Sequence, residues 1–282
     1  MYLCIDIGGT KTLIALFTRG GRVVRKRKFS TAQGSQTFLR DLERNLVDFK
    51  KWRVRSVVVA IPGLVQKNYS VRFGNRKWDD INLLAPIKKL FDCPIYFEND
   101  ANLACLYESY RLPGKTVFLT FSTGIGGGIA EHNRIAPESS EFEPGHKMYF
   151  YDGKVKEWED IAAASALEAH YHVDMATDLR KKEQLQEIAT RVSLGLPDII
   201  RKYRPDTIVL GGPLGKIFKL YSQYLPKDLK VKFRRPKRPT ESVIYGCYRF
   251  ARQKEREWFP LLLISRILHR KMVTIKIRSI FS

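Results

Sequence analysis

A chain of 282 residues with 44% hydrophobic and 12% aromatic side chains can bury a large core, which excludes a disordered or fibrous protein. Its formal net charge of +21 would suit acidic partners, but the charge is spread along the chain and the composition does not favour nucleic-acid binding. The start, MYLCIDIGG, lacks the basic region of a signal peptide, and no apolar run reaches the ~20 residues that span a bilayer, so we expect a cytoplasmic protein.

The first half of the chain predicts an α/β lobe. Buried or alternating apolar runs predict strands at 2–7, 13–18, 22–29, in SVVVAIPG and at 94–97. Apolar residues at helical spacing predict helices at 35–51, at about 83–91 and from near Asn99 onward.

The second half repeats this order. Strands are predicted at 116–121, 127–131, 206–210 and near 229–233, and helices at about 158–171, 181–203 and 243–253. Each half of the chain thus has a strand meander followed by alternating strands and helices. This repeated order predicts an α/β chain of two related lobes. We assign the lobes to residues 1–114 and 115–254, and regard residues 255–282 as a basic, apolar C-terminal extension.

The run DIGGTKT, residues 6–12, is a candidate phosphate-binding turn. Gly8, Gly9, Thr10 and Lys11 follow one predicted strand and precede another, so a phosphate would be held by backbone N–H groups, the hydroxyls of Thr10 and Thr12, and Lys11. Asp6, at the end of the first strand, is placed to hold Mg²⁺ directly or through water. A plain hairpin with a capping aspartate remains the alternative.

The run STGIGGG, residues 122–128, repeats the design in the second half. Thr123 and Gly124 follow a predicted strand, and three further glycines precede the next one. Two such turns, one per lobe, would face each other across a cleft and hold the phosphates of a nucleotide from both sides.

The run ENDAN, residues 98–102, places Asn99 and Asp100 between a short strand and a helix. Either residue could simply cap the helix. A carboxylate at this position of a cleft could instead act as the general base for phosphoryl transfer to an alcohol.

Seven motifs occur in an order that resembles the ROK family of sugar kinases and sugar-sensing repressors. They are DIGGTKT, AIPG (60–63), NRKW (75–78), ENDAN, STGIGGG, EPGH (143–146) and VLGG (209–212). The resemblance covers roughly residues 2–254. It implies a two-lobed actin-like ATPase fold, related to ribonuclease H, with the active site in the cleft between the lobes.

The resemblance also implies a role for each matching residue. Asp100 matches the catalytic base that takes the proton from the 6-hydroxyl of the sugar. The sugar ligands would be Asn75, Asn99, Glu143, His146 and Glu159. The ATP phosphate region would be formed by Asp6, Gly8, Gly9, Thr10, Lys11, Thr123 and Gly124. Gly211 and Gly212 match the turn that accommodates the adenosine.

The chain departs from the family at its structural zinc site. Many members carry three zinc-binding cysteines in a CxCGxxGCxE motif, and the corresponding positions here are Phe150, Asp152 and Glu157. One histidine with two carboxylates is a poor substitute for the family's zinc ligands, so we predict no zinc site. The chain has four cysteines, Cys4, Cys93, Cys105 and Cys247, and none forms a CxxC pair.

The sequence therefore predicts an ATP- and Mg²⁺-dependent kinase for the 6-hydroxyl of a hexose, with glucose as the first choice. The alternatives are a sugar-binding regulator or inactive sensor without kinase activity, and a glucokinase that uses polyphosphate. A DNA-binding repressor is disfavoured because the first strand begins at residue 2. A homodimer and contact between a membrane and the C-terminal extension are further expectations.

Overall fold

The computed structural model describes residues 1–65, 70–72, 78, 81–172 and 181–257. The described strands are β1 (Tyr2–Ile7), β2 (Lys11–Phe17), β3 (Val23–Ser30), β4 (Ser56–Ile61), β5 (Leu64–Val65), β6 (Ser70–Arg72), β7 (Ile81–Asn82), β8 (Ile95–Asn99), β9 (Lys115–Phe121), β10 (Ile125–Glu131), β11 (Arg134–Ile135), β12 (Met148–Tyr151), β13 (Lys154–Glu157), β14 (Thr207–Gly211) and β15 (Lys232–Arg234). The described helices are α1 (Ser35–Val47), α2 (Leu84–Leu90), α3 (Asp100–Glu108), α4 (Trp158–Ala162), α5 (Ala164–Tyr171), α6 (Lys182–Ser193), α7 (Leu196–Tyr203), α8 (Gly212–Lys216), α9 (Phe218–Tyr221) and α10 (242–257). Short 3-10 helices cover Pro137–Glu141, Pro144–His146 and Ser222–Tyr224.

Two five-stranded sheets with the same connectivity organise the molecule. The first has the order β3-β2-β1-β4-β8 and the second the order β11-β10-β9-β14-β15. In each, three antiparallel strands come first in the chain and two parallel strands are added at the other side. The duplication predicted from the sequence is therefore present in the sheets.

The central strands are mostly apolar, which allows both of their faces to be covered. In β1, Leu3 and Ile5 point into a core shared with α1 and α2, while Tyr2 and Cys4 point into a core shared with α10. Side chains of a strand alternate between the faces of a sheet, so Asp6 lies on the same face as Tyr2 and Cys4. That face is covered by α10, whose Cys247 is electrostatically coupled to Asp6.

Helix α3 lies between the two sheets and packs against both. It follows β8 of the first sheet, yet it packs its Ala104 and Cys105 against Phe118 and Val209 of the second sheet. Gly128 in β10 makes this close approach possible, because a Cβ there would lie 2.6 Å from the backbone oxygen of Ala101.

The glycines of residues 126–128 are thus part of strand β10 and not of a turn. A Cβ at Gly127 would lie 2.3 Å from the ring of Phe142, in the segment that leads to the EPGH motif. Gly127 and Gly128 therefore serve close packing, while Thr123 and Gly124 are the residues of this run that the sequence analysis assigned to the phosphate region.

Helix α10 comes after the second sheet in the chain but packs against the first. Its Ile244, Cys247 and Ala251 are fully buried in the core that contains Tyr2 and Phe17. Beyond residue 257 the extension lies outside the described residues, so its predicted membrane contact stays a prediction. No described helix has the length and apolarity needed to cross a membrane.

Two predicted long helices are each divided in two. The first breaks at Ala163, which is extended and leaves the Ser165 N–H free to donate to the Ser122 carbonyl at 3.1 Å. The second breaks before Leu196, where Gly195 packs against Trp158 and Pro197 lacks a backbone donor. The apolar spacing alone did not reveal either break, and it also missed the β12–β13 hairpin.

We expect Gly128→Ala to lower the free energy of unfolding by about 1–3 kcal/mol, because its new Cβ overpacks the backbone of α3. Urea unfolding followed by circular dichroism measures the change. The matched control is Gly20→Ala, whose Cβ would meet no atom closer than 3.9 Å. Equal stability of the two variants would contradict the assigned contact.

Candidate functional site

The start of α3 presents one carboxylate and one capping amide. The Asn99 Oδ1 accepts hydrogen bonds from the N–H groups of Ala101 at 2.9 Å and Asn102 at 3.2 Å, so Asn99 is the helix cap. The Asp100 Oδ1 accepts from the Ala101 N–H at 2.7 Å, and no described residue donates a hydrogen bond to its other oxygen. The Asn99 Nδ2 lies 3.4 Å from the Gly63 carbonyl, and its predicted sugar contact stays a prediction.

A buried polar network holds this helix start against the second sheet. The Glu98 Oε1 accepts from the Asn99 N–H and from the Asn102 Nδ2, both at 2.9 Å. The Asn102 Oδ1 accepts from the Ser139 hydroxyl at 2.5 Å, and that hydroxyl accepts from the Ile129 N–H at 2.6 Å. Each buried polar atom in this series has a partner, which orients α3.

Carboxyl groups crowd the space beside Asp100. Burial, together with the nearby Asp100, raises the pKa of Asp6 to about 7. Burial raises the pKa of Asp100 to about 6, assisted by Glu143 and opposed by the Ala101 N–H. Asp100 thus acts on Asp6, and Glu143 acts on Asp100, so the three carboxyl groups form one cluster.

The cluster continues to Glu159 and reaches the second glycine turn. Burial raises the pKa of Glu143, the nearby His146 lowers it, and Glu159 raises it. The Glu159 Oε2 accepts from the Ile125 N–H at 3.1 Å, and a Cβ at Gly124 would lie 2.5 Å from that oxygen. Gly124 therefore has to be a glycine if Glu159 is to occupy this position.

His146 is exposed and is held by a glutamate that the sequence analysis did not assign to the site. Its Nδ1 lies 3.1 Å from the Glu157 Oε2, and this hydrogen bond raises the pKa of His146. Ligand atoms of His146, Glu157 and Glu159 lie within 4.8 Å of one another, while Phe150 is 72% exposed and Asp152 occupies the hairpin turn. Two carboxylates thus converge on His146, and the absence of zinc stays a prediction.

The first glycine turn is fastened from one side by Thr31. The Thr31 hydroxyl donates to the Gly8 carbonyl at 2.9 Å, and the Thr31 N–H donates to the Thr10 carbonyl at 3.0 Å. Gly9, Thr10 and Lys11 are exposed, and no described residue accepts a hydrogen bond from the N–H of Gly9 or Thr10. The turn can therefore offer two backbone donors to an anion.

The Thr12 hydroxyl was wrongly assigned to phosphate binding. Thr12 is fully buried, and its hydroxyl lies 2.9 Å from that of Thr31. It points away from solvent because Lys11, next to it in strand β2, takes the exposed face.

The second glycine turn is held by the start of α5. The Ser165 hydroxyl donates to the Thr123 carbonyl at 2.8 Å, while no described acceptor faces the N–H of Thr123 or Gly124. Gly212 has φ of +70°, and a Cβ there would lie 2.2 Å from the Phe121 carbonyl oxygen. This contact brings Gly211 and Gly212 next to the second turn.

Most of the predicted site residues are thus linked through direct contacts or electrostatic coupling. Asn75 lies outside the described residues. The sequence analysis did not assign Thr31, Glu157 or Ser165 to the site. Thr31 and Ser165 have no sequence pattern that would reveal their contacts. Glu157 did have one, because it occupies the position of one of the family's cysteines.

Comparison with curated proteins finds relatives that match about half of the chain. The chain is 30% identical over 154 residues to a fructokinase of Lactococcus lactis subsp. cremoris, covering 52% of each chain. It is 28% identical over 178 residues to a xylose repressor of Bacillus spizizenii, covering 54% of this chain and 46% of the repressor. The matches span about half the length of these curated relatives.

Among solved structures, a ROK family glucokinase from Streptomyces griseus, in complex with glucose and AMPPNP, superimposes with a TM-score of 0.73. It is 20% identical, and the match covers 89% of this chain and 99% of that one. The fold is therefore the two-lobed, actin-like ATPase fold. The family model of the ROK family matches residues 2–245, so the chain belongs to the ROK family.

We expect the stability gain from Asp6→Asn to increase with pH. The pKa of Asp6 rises from 3.8 to about 7 on folding, so the native protein loses stability relative to the unfolded chain as pH rises from about 4 to above 7. Asp6→Asn has no carboxyl group to ionise and so lacks this loss. The difference in free energy of unfolding between variant and parent should therefore be larger at pH 8 than at pH 4, by up to about 4 kcal/mol. Urea unfolding in the presence of a chelator at the two pH values measures it, with exposed Asp228→Asn as the control. A pH-independent difference would contradict the shift.

Proposed function

We propose that this chain is an ATP-dependent sugar kinase that phosphorylates the 6-hydroxyl of a hexose, with glucose as the first candidate. The observation that carries the proposal is a series of interacting carboxyl groups that joins the two glycine turns. It begins at Asp6, which borders the first turn, and continues through Asp100 and Glu143. It ends at Glu159, whose Oε2 accepts from the Ile125 N–H beside the second turn. A carboxylate with a pKa of about 6 is mostly deprotonated at neutral pH and still basic enough to accept a proton.

In the proposed reaction Asp100 accepts the proton of the sugar hydroxyl as that oxygen attacks the terminal phosphorus of ATP. The bond between this phosphorus and the oxygen that bridges to the β-phosphate breaks, and ADP leaves with that oxygen. The backbone N–H groups of Gly9, Thr10, Thr123 and Gly124 are available to hold the phosphates. Gly211 and Gly212 would accommodate the adenosine beside the second turn. Lys11 would add a positive charge at the edge of the first.

The donor set also suits a divalent cation. Asp100 adds to the cost of ionising the buried Asp6, and Asp6 would hold Mg²⁺ directly or through water. When bound, Mg²⁺ would offset the charge of the phosphates. Asp6 would then be ionised at neutral pH, because a cation favours the charged carboxylate.

The sugar would be recognised by the group that surrounds Asp100. Glu143, His146 and Glu159 present two carboxylates and one imidazole to the same space, and these suit the several hydroxyls of a hexose. Asn99 and Asn75 complete the proposed set. Cytoplasmic location, supported by four unpaired cysteines, belongs to the same proposal.

A second candidate is a sugar-binding regulator without kinase activity. The exposure of His146 favours it, because a loosely held sugar ligand would lower affinity and rate. A coupled assay of ADP release over a panel of hexoses, with polyphosphate replacing ATP in a parallel series, separates the candidates. Sugar binding without phosphoryl transfer from either donor would support the regulator and contradict the kinase.

Asp100→Asn should lower kcat by about 10²- to 10⁴-fold, because the amide cannot accept the hydroxyl proton. We expect the sugar dissociation constant, measured by tryptophan fluorescence, to change by less than about threefold. Asp228→Asn on the exposed surface is the matched control and should retain the parent rate. A variant that turned over like the parent would remove Asp100 from the role of base.

The pH dependence of kcat/KM should also reflect the ionisation of Asp100. Because Asp100 must be deprotonated, kcat/KM for the sugar should fall about tenfold per pH unit below a pKa of about 6. Burial of the carboxyl causes the shift from its ordinary value. A profile whose acid limb lay near pH 4 would indicate that an unshifted carboxylate controls the rate.

A further inference from the structure

A strongly basic cavity of about 440 Å³ lies apart from the carboxyl cluster. It forms where α10 meets the β2–β3 turn, the β10–β11 turn and the segment after α3. Its wall includes Arg19, Tyr110, Tyr248, Arg249, Arg252 and Arg256, and no acidic side chain of the described residues lines it. Asp100 begins α3 and Tyr110 follows its end, so a ten-residue separation at 1.5 Å per residue places the two sites about 15 Å apart.

The arginines of this cavity, which we call the arginine pocket, come mainly from one face of α10. Positions 249, 252 and 256 are spaced i, i+3 and i+7 and therefore project from the same side of the helix. Arg19 joins them from the β2–β3 turn. Four guanidinium groups around one cavity repel one another unless an anion is present.

Charge compensation in the arginine pocket is incomplete. Arg19 lies 3.5 Å from Glu255, but Arg249, Arg252 and Arg256 form no ion pair with any described carboxylate. Arg252 donates to the Arg19 carbonyl, and the Nε atoms of Arg249 and Arg252 are buried without an acceptor. Leaving charged donors short of acceptors is costly, which distinguishes this group from ordinary solvated arginines.

Aromatic rings fix the position of part of this charge. The Arg249 guanidinium carbon lies 3.2 Å from the centre of the Tyr110 ring, and the Tyr248 hydroxyl donates to the Arg19 carbonyl at 3.0 Å. The rings therefore hold Arg249 and the backbone of the turn in place without neutralising them. The result is a preorganised set of donors with little acceptor capacity.

We propose that the arginine pocket binds a small phosphate compound that carries at least two negative charges. The planar guanidinium fork matches phosphate oxygens in pairs, and several such forks surround the cavity. The volume is in the range of small-molecule sites, so the cavity suits a compact ligand better than a polymer. Two sources share this chemistry: a condensed phosphate such as pyrophosphate, and a sugar phosphomonoester.

Isothermal titration of the full chain with inorganic pyrophosphate, at constant chloride concentration and without divalent metal, tests the proposal. Glucose 6-phosphate, as the second arm, distinguishes the phosphomonoester from the condensed phosphate. We expect saturable one-to-one binding of at least one of them. Arg252→Gln combined with Arg256→Gln should weaken it about tenfold or more, the loss expected when charge-assisted hydrogen bonds are removed.

The matched control is Arg40→Gln combined with Arg44→Gln on the exposed face of α1, which removes the same charge elsewhere. It should change the affinity by less than about twofold, because exposed charges contribute little. Arg256→Glu alone, at an exposed position, provides a variant that keeps the fold and should also weaken binding.

Equal weakening by both double variants would show attraction to the overall charge and overturn the proposal, as would no binding in either arm. Binding that both double variants retain would arise elsewhere, for example at the glycine turns, and would also overturn it. Tighter binding of a single-stranded RNA than of either phosphate would favour a polymer track over a pocket. None of these outcomes depends on kinase activity, since no phosphoryl transfer is measured.

Discussion

The contact between the backbone of α3 and strand β10 determines where the proposed chemistry can occur. Gly128 has no side chain, so the first turn of α3 can lie directly against the second sheet. Asp100 stands at the first position of that helix and Asn99 caps it, so the carboxylate stays at the border between the sheets. The Glu98–Asn102–Ser139 hydrogen bonds then fix the rotation of the helix.

The carboxyl cluster follows from this placement. Asp6 approaches from the first sheet, Glu143 and Glu159 approach from the second, and Asp100 lies between them. Burial and neighbouring carboxylates raise the pKa of Asp6, Asp100 and Glu143, so ionising these groups destabilises the empty site. Cations, hydroxyl groups and phosphate-bound metal are the partners that relieve such crowding. The instability of the empty site is therefore consistent with the ligands we propose.

The sequence predicted the duplicated sheets, and it named most of the residues that the structure brings to the carboxyl cluster and the glycine turns, because both depend on local signals. The roles of these residues stay predictions. Continuous apolar runs such as YLCIDI mark strands that are buried on both faces, and glycine runs mark places of close approach. The sequence could not distinguish a glycine that contacts a ligand from one that contacts a helix, since both need only the missing Cβ. Gly127 and Gly128 proved to be of the second kind.

Other features depended on partners distant in the chain. Thr31 fastens a turn more than twenty residues away, and Ser165 fastens another from 42 residues away. Neither residue type carries a pattern that would reveal this. The break at Ala163 was missed for the same reason, because the acceptor of the Ser165 N–H lies in another element. Glu157 could have been found, since it replaces a cysteine next to the histidine in space.

The placement of α10 has a mechanical consequence. The polypeptide passes from the first sheet to the second through α3 and returns through α10, so two rigid segments join the halves side by side. Two connections side by side resist twisting and sliding of one half against the other. The relative motion that they resist least is a hinge rotation about the line that joins them. Opening of the space between the two sheets would then be a hinge motion, with α3 and α10 at the hinge.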